Sequence, residues 1–139
     1  MPDPYGVWDY FDKRGIPHAL YFRHARDVEL HNVRVAWGKV SGAWRSAVRA
    51  QSVEGLDLNG LIARQAPGPA EAPVVHLSDV RRAHLSNCRA EPGTGTFLRL
   101  DGAATEEITS FGNELGRARS AFSFGEEVGL EWRRRLEAK

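Results

Sequence analysis

Cysteine, lysine and long apolar runs are all scarce in this chain. One cysteine, Cys88, excludes an intrachain disulfide and any site built on a thiol pair. It stands in an alternating apolar stretch, where a lone cysteine is expected to act as a small core residue. No apolar run approaches the roughly 20 residues that a membrane-spanning helix needs. The opening residues, Met-Pro-Asp-Pro-Tyr, lack the basic and apolar regions of a signal peptide. As written, the chain is expected to stay in the cytoplasm; as part of a longer secreted enzyme it would be extracellular or periplasmic. The sequence also lacks a glycine-rich phosphate loop, a nucleophile elbow and a His-Glu-x-x-His motif. His18, His24 and His31 are not at zinc-ligand spacing, so neither a metal nor another cofactor is expected.

Charge is nearly balanced. A net charge of +1 gives no reason to expect a nucleic-acid or membrane partner. Lysine is nonetheless rare: three Lys stand against sixteen Arg. Guanidinium forks suit carboxylates and phosphates, although a GC-rich coding sequence produces the same bias. With 139 residues, 42% of them hydrophobic, the chain is long enough for one domain with a real core.

What is present is a repeat. The runs ALYFRHARDVELHNVRV (19–35), AVRAQSVEGLDLNGLIA (47–63) and VVHLSDVRRAHLSNCRA (74–90) superimpose without a gap. Leu20, Val48 and Val75 share one position, and Phe22, Ala50 and Leu77 share the next but one. Val28, Leu56 and Ala83 share a third, and Leu30, Leu58 and Leu85 a fourth. A weaker fourth copy, Phe97 to Leu115, aligns once an insertion around Ala103 to Glu107 is allowed. The repeat length marks a solenoid, and the alternation within each copy is the two-residue period of strands. One coil alone cannot bury its apolar face, but stacked coils share a continuous core. The sequence therefore predicts an all-β right-handed parallel β-helix of about four coils, residues 18–124.

Asn32 and Asn87 share a repeat position with Gly60, and Asn113 is expected there in the fourth copy. Asparagine and glycine tolerate left-handed backbone, so a sharp bend is expected at this position, with stacked asparagine side chains bonding along the axis. The ends differ from the middle. Residues 1–17, with Tyr5, Trp8, Tyr10 and Phe11, read as an N-terminal cap or interface. Residues 125–139 read as a short capping helix that lays Leu130, Trp132 and Arg133 against the final coil.

The run IPHALYFRHARDVELHNV (16–33) resembles the late coils of the polygalacturonase-like members of glycoside hydrolase family 28. AWRSA (43–47), VEGL (53–56) and APVVHLSDV (72–80) continue the resemblance. It covers about residues 3 to 100 and implies the C-terminal portion of a right-handed parallel β-helix enzyme acting on uronic-acid polysaccharide. The Asn-Thr-Asp, Asp-Asp, Gly-His-Gly and Arg-Ile-Lys motifs of such enzymes do not occur here, so no catalytic residue is carried over.

Read from the repeat alone, Tyr21, Arg49, His76 and Arg99 form one outward column. Together with Trp44, the residues Tyr21, Arg49 and Arg99 are the candidate set for binding an acidic polysaccharide, by paired hydrogen bonds to carboxylates and stacking on sugar faces. Glu29 and Asp57 share a second outward column with His84 and are the candidate carboxylate pair for a residual glycosidase. The leading expectation is a non-catalytic structural or assembly module, with the polysaccharide-binding module and the residual hydrolase as alternatives. The N-terminal aromatics predict a homodimer joined at that end.

Overall fold

The computed structural model describes residues 18–38, 45–67 and 72–137. Eleven strands run in chain order: β1 (Leu20–Arg23), β2 (Arg26–His31), β3 (Val48–Gln51), β4 (Glu54–Asn59), β5 (Ile62–Ala63), β6 (Val75–Ser78), β7 (Arg81–Ser86), β8 (Arg89–Ala90), β9 (Thr96–Asp101), β10 (Glu106–Phe111) and β11 (Ser120–Phe124). One helix, α1 (Leu130–Glu137), follows. Every strand pair is parallel. Sheet A stacks β1-β3-β6-β9-β11, sheet B stacks β2-β4-β7-β10, and β5 pairs with β8 in a short third sheet. The fold is a parallel β-solenoid of about four turns.

The register is that of the repeat. Leu20, Val48, Val75 and Leu98 stack inward, as do Leu30, Leu58 and Leu85. Alternation sends every second side chain into this shared interior. Val48, Leu58, Val75 and Leu98 are fully buried. Cys88 is 1% exposed and joins the core as expected. Burial raises its thiol pKa.

Three bends per coil close the solenoid, and each is a column of left-handed residues. His24, Ser52, Asp79 and Gly102 form the first. Asp27, Gly55, Arg82 and Glu107 form the second, and Asn32, Gly60, Asn87 and Gly112 the third. Gly112, not Asn113, takes the fourth place. Ser78 and Arg81 pair with Asp101 and Glu106, so the insertion adds two residues and leaves Phe111 opposite Ser86. Asn113 lies one step on, where its Oδ1 accepts the Cys88 N–H at 2.7 Å and its Nδ2 donates to Leu85 O at 3.0 Å. The expected asparagine ladder is reduced to one bond, Asn87 Nδ2 to Asn59 Oδ1 at 3.4 Å.

The two ends are unlike. Helix α1 packs across β10 and β11, with Val128 and Leu136 buried and Trp132 against the core. Arg133 donates to Gly125 O at 2.6 Å and to Val128 O at 3.1 Å, tying the helix to the preceding turn. Leu130 was expected in this contact but is 62% exposed, because the buried stripe of the helix is set by Leu136 and Trp132. In the first coil, Leu20, Phe22, Val28 and Leu30 are only partly buried, whereas their partners in the second coil are buried. The aromatic segment 1–17 lies outside the described residues.

Candidate functional site

Sheet A presents Tyr21, Arg49, His76, Arg99 and Ser123 side by side on its outer face. Parallel pairing in register brings equivalent positions about 4.8 Å apart, so residues distant in sequence become neighbours. Three of the four expected binding residues, Tyr21, Arg49 and Arg99, therefore meet on one surface. Trp44 lies outside the described residues. Trp37, from the same loop, packs against the core and donates its indole N–H to Arg64 O at 2.8 Å.

The column is more than a row of cations. Arg99 holds Asp101 with two hydrogen bonds, Nε to Oδ2 at 3.0 Å and Nη2 to Oδ1 at 2.9 Å. His76 Nε2 meets the same Oδ2 at 2.7 Å. Burial works to raise the Asp101 pKa, but the bonds from Arg99 and His76 outweigh it and hold the carboxyl below its usual range. Arg99 is raised in turn, chiefly by its bond to Asp101. Sequence reading missed Asp101, although Arg99 and Asp101 stand two apart on one strand and so share a face. Room for the carboxylate comes from Gly125 in the following turn, where a Cβ would lie 2.1 Å from Asp101 Oδ1.

Arg49 is placed differently. Its Nη1 donates to Ala50 O at 2.9 Å and His76 O at 3.3 Å, and among the described residues no carboxylate pairs with it. Half-burial lowers its pKa. Beside it, Tyr21 donates its hydroxyl to Gln51 Oε1 at 3.2 Å, and the His18 ring sits 5.9 Å from the tyrosine ring. His18 Nδ1 accepts the Ser46 N–H at 3.2 Å. Burial, then the charges of Arg49 and Arg45, push the His18 pKa down to about 4. Burial likewise lowers His76. Both imidazoles are thus neutral at pH 7, and the positive charge that is left without a carboxylate in this column is that of Arg49.

Sheet B carries the second column. Glu29 is paired with Asp57, Asp57 with His84, and His84 with Thr109. His84 Nδ1 is hydrogen-bonded to Thr109 Oγ1. His31, two residues after Glu29, reaches back to it, Nε2 to Oε1 at 3.2 Å. Donor atoms of Glu29, His31 and Asp57 all lie within 4.8 Å of one another. The spacing of the histidines hid this group, because its third member comes from the next coil. An open groove of about 730 Å³ lies apart from the two carboxylates, at the corner between sheets A and B, lined by His24, Arg26, Ser52, Glu54, Asp79 and Arg81.

No family model matches this chain, and neither the curated proteins nor the solved structures contain a match to it. The resemblance to polygalacturonase-like hydrolases is therefore supported only at the level of a parallel β-solenoid.

Proposed function

We propose that the chain is a non-catalytic β-solenoid module that acts as an assembly unit, pairing with a second copy through its first coil. The observation behind this reading is the difference between the ends. Helix α1 and the turn before it cover the last coil, with Leu136 and Val128 at 3% and 2% exposure. The first coil leaves Leu20, Phe22, Val28 and Leu30 only partly buried. Among the described strands, β1 and β2 are also the edges of their sheets, and an edge strand offers backbone groups to another chain. A twofold pairing closes on itself and satisfies both copies at once. Light scattering at micromolar concentration tests the reading, with a mass near twice 15.5 kDa expected. A monomer would overturn it, and a dimer untouched by Trp8→Ala with Phe11→Ala would move the interface elsewhere. Incubation with polygalacturonate is expected to release no reducing ends, since the family's catalytic motifs are missing.

A second reading is favoured by Arg49 alone: the column of sheet A binds an acidic polysaccharide. A half-buried guanidinium bonded, among the described residues, to backbone carbonyls alone has a charge to offer a carboxylate, and the Tyr21 ring beside it offers a face to a sugar. Co-sedimentation with polygalacturonate tests it.

A further inference from the structure

The geometry points to a binding site for a divalent transition-metal ion on the outer face of sheet B, with Glu29, His31 and Asp57 as its ligands. Two carboxylates stand side by side here on adjacent parallel strands, an arrangement that repels unless a cation intervenes. At several other carboxylates this arginine-rich chain supplies that cation itself. Glu54 meets Arg26 and Arg82, Glu106 meets Arg81, Glu91 meets Arg34, and Asp101 meets Arg99. The two columns of sheet B that hold these ligands read Glu29, Asp57, His84, Thr109 and His31, Asn59, Ser86, Phe111, without an arginine or lysine in either.

A separate observation concerns Asp57. Its Oδ1 is sealed from solvent and has no hydrogen-bond partner. A buried anionic oxygen without a donor is costly, and a bound cation removes that cost. His31 completes the set. Among the other described histidines, His18 accepts from Ser46, His24 from Arg23, His76 is held to Asp101 and His84 to Thr109. His31 instead has Glu29, itself a ligand.

The donor set selects the metal class. One imidazole with two carboxylates suits zinc and its neighbours, whereas calcium and magnesium prefer oxygen alone. Zinc bound at about 2.0–2.2 Å to each ligand needs its donors closer than the present spread of 4.8 Å. Glu29 and His31 are 67% and 52% exposed, so both can swing inward without disturbing the core. Three protein ligands leave a position for water. Because Glu29 and His31 belong to edge strand β2 and Asp57 to β4, the ion would clamp the first coil to the second.

Calorimetric titration of the full chain with zinc chloride at pH 7.5 tests the site, with one equivalent bound and no comparable binding of calcium. His31→Gln and Asp57→Asn should each weaken zinc roughly tenfold or more, by analogy with the losses caused by disturbing metal shells, while His24→Gln leaves it unchanged. All three residues sit at the surface or its margin, and circular dichroism verifies that the variants fold. The wild-type imidazole resonances give a reading without substitution: zinc should shift those of His31 first. Absence of zinc binding, binding that survives both ligand substitutions, or perturbation of another histidine in place of His31 overturns the proposal.

Discussion

Gly60 lies where Asn32 of the preceding coil needs space: a Cβ at Gly60 would come within 2.7 Å of Asn32 Oδ1. The two residues occupy equivalent bends, with φ of 82° and 55°. Gly60→Ala should therefore cost about 1–3 kcal/mol, from left-handed strain and from the collision. In an Asn32→Gly background the same substitution should cost less, because the collision is gone and the strain remains. Urea melts of the four proteins measure the coupling, and equal costs in both backgrounds would show that the contact is unimportant.

Leu58 is fully buried at the middle of its column, between Leu30 and Leu85. Leu58→Ala should destabilise by about 2–5 kcal/mol. Leu58→Asp should prevent folding, since a buried unpaired carboxylate costs several kcal/mol against a typical total stability of about 5–15 kcal/mol. A soluble Leu58→Asp protein with unchanged circular dichroism would contradict the observed register.

Acid should weaken the fold in two separate windows. His18 and His76 have folded pKa values below the ordinary 6.5, with His18 near 4. In that range the unfolded chain binds more protons than the folded one, so stability is complete above about pH 6.5 and declines as the pH falls toward 4. Asp101 is depressed below 3.8, so its contribution persists through that window and is lost only at lower pH. Thermal melts at pH 7.5, 6.0 and 4.5 should show a falling midpoint. His18→Gln should flatten the slope above pH 4; an unchanged slope in that variant would remove His18 from the account.

The arginines of sheet A should be unequal partners for an acidic polymer. Arg49→Ala should weaken polygalacturonate binding. Arg99→Ala should change it less, because Asp101 already occupies the Nε–Nη2 edge of that guanidinium and offsets its charge. Asp101→Asn should strengthen binding by releasing Arg99. Affinity electrophoresis in gels containing polygalacturonate reads all three, and equal effects of Arg49→Ala and Arg99→Ala would reject the distinction.

The coil register was legible in the sequence because parallel stacking in register is itself a repeat. Leu30, Leu58 and Leu85 align in the chain for the same reason that they touch in space. The outward column of Tyr21, Arg49, His76 and Arg99 followed from the same rule. The fourth coil was less legible. Its insertion is two residues long, which only the pairing of Phe111 with Ser86 reveals, and this is why Gly112 displaces Asn113 from the bend.

The state of each column was a different matter. Sequence determined that Arg99 faces outward; tertiary structure decided that it is held by Asp101 in room left by Gly125, a residue of the following turn. Sequence placed Glu29 beside Asp57; the fold added His31 and left Asp57 Oδ1 buried without a donor. Leu130 belonged to the contact face of that helix in the sequence reading, yet in the docked α1 it is Leu136 that is buried while Leu130 stays 62% exposed. The physical reason is one of period. Strand alternation and coil length repeat along the chain, so they fix which face each residue takes. Hydrogen-bond partners, burial of single atoms and the docking of a helix depend on side-chain reach between elements, and no period in the sequence encodes that reach.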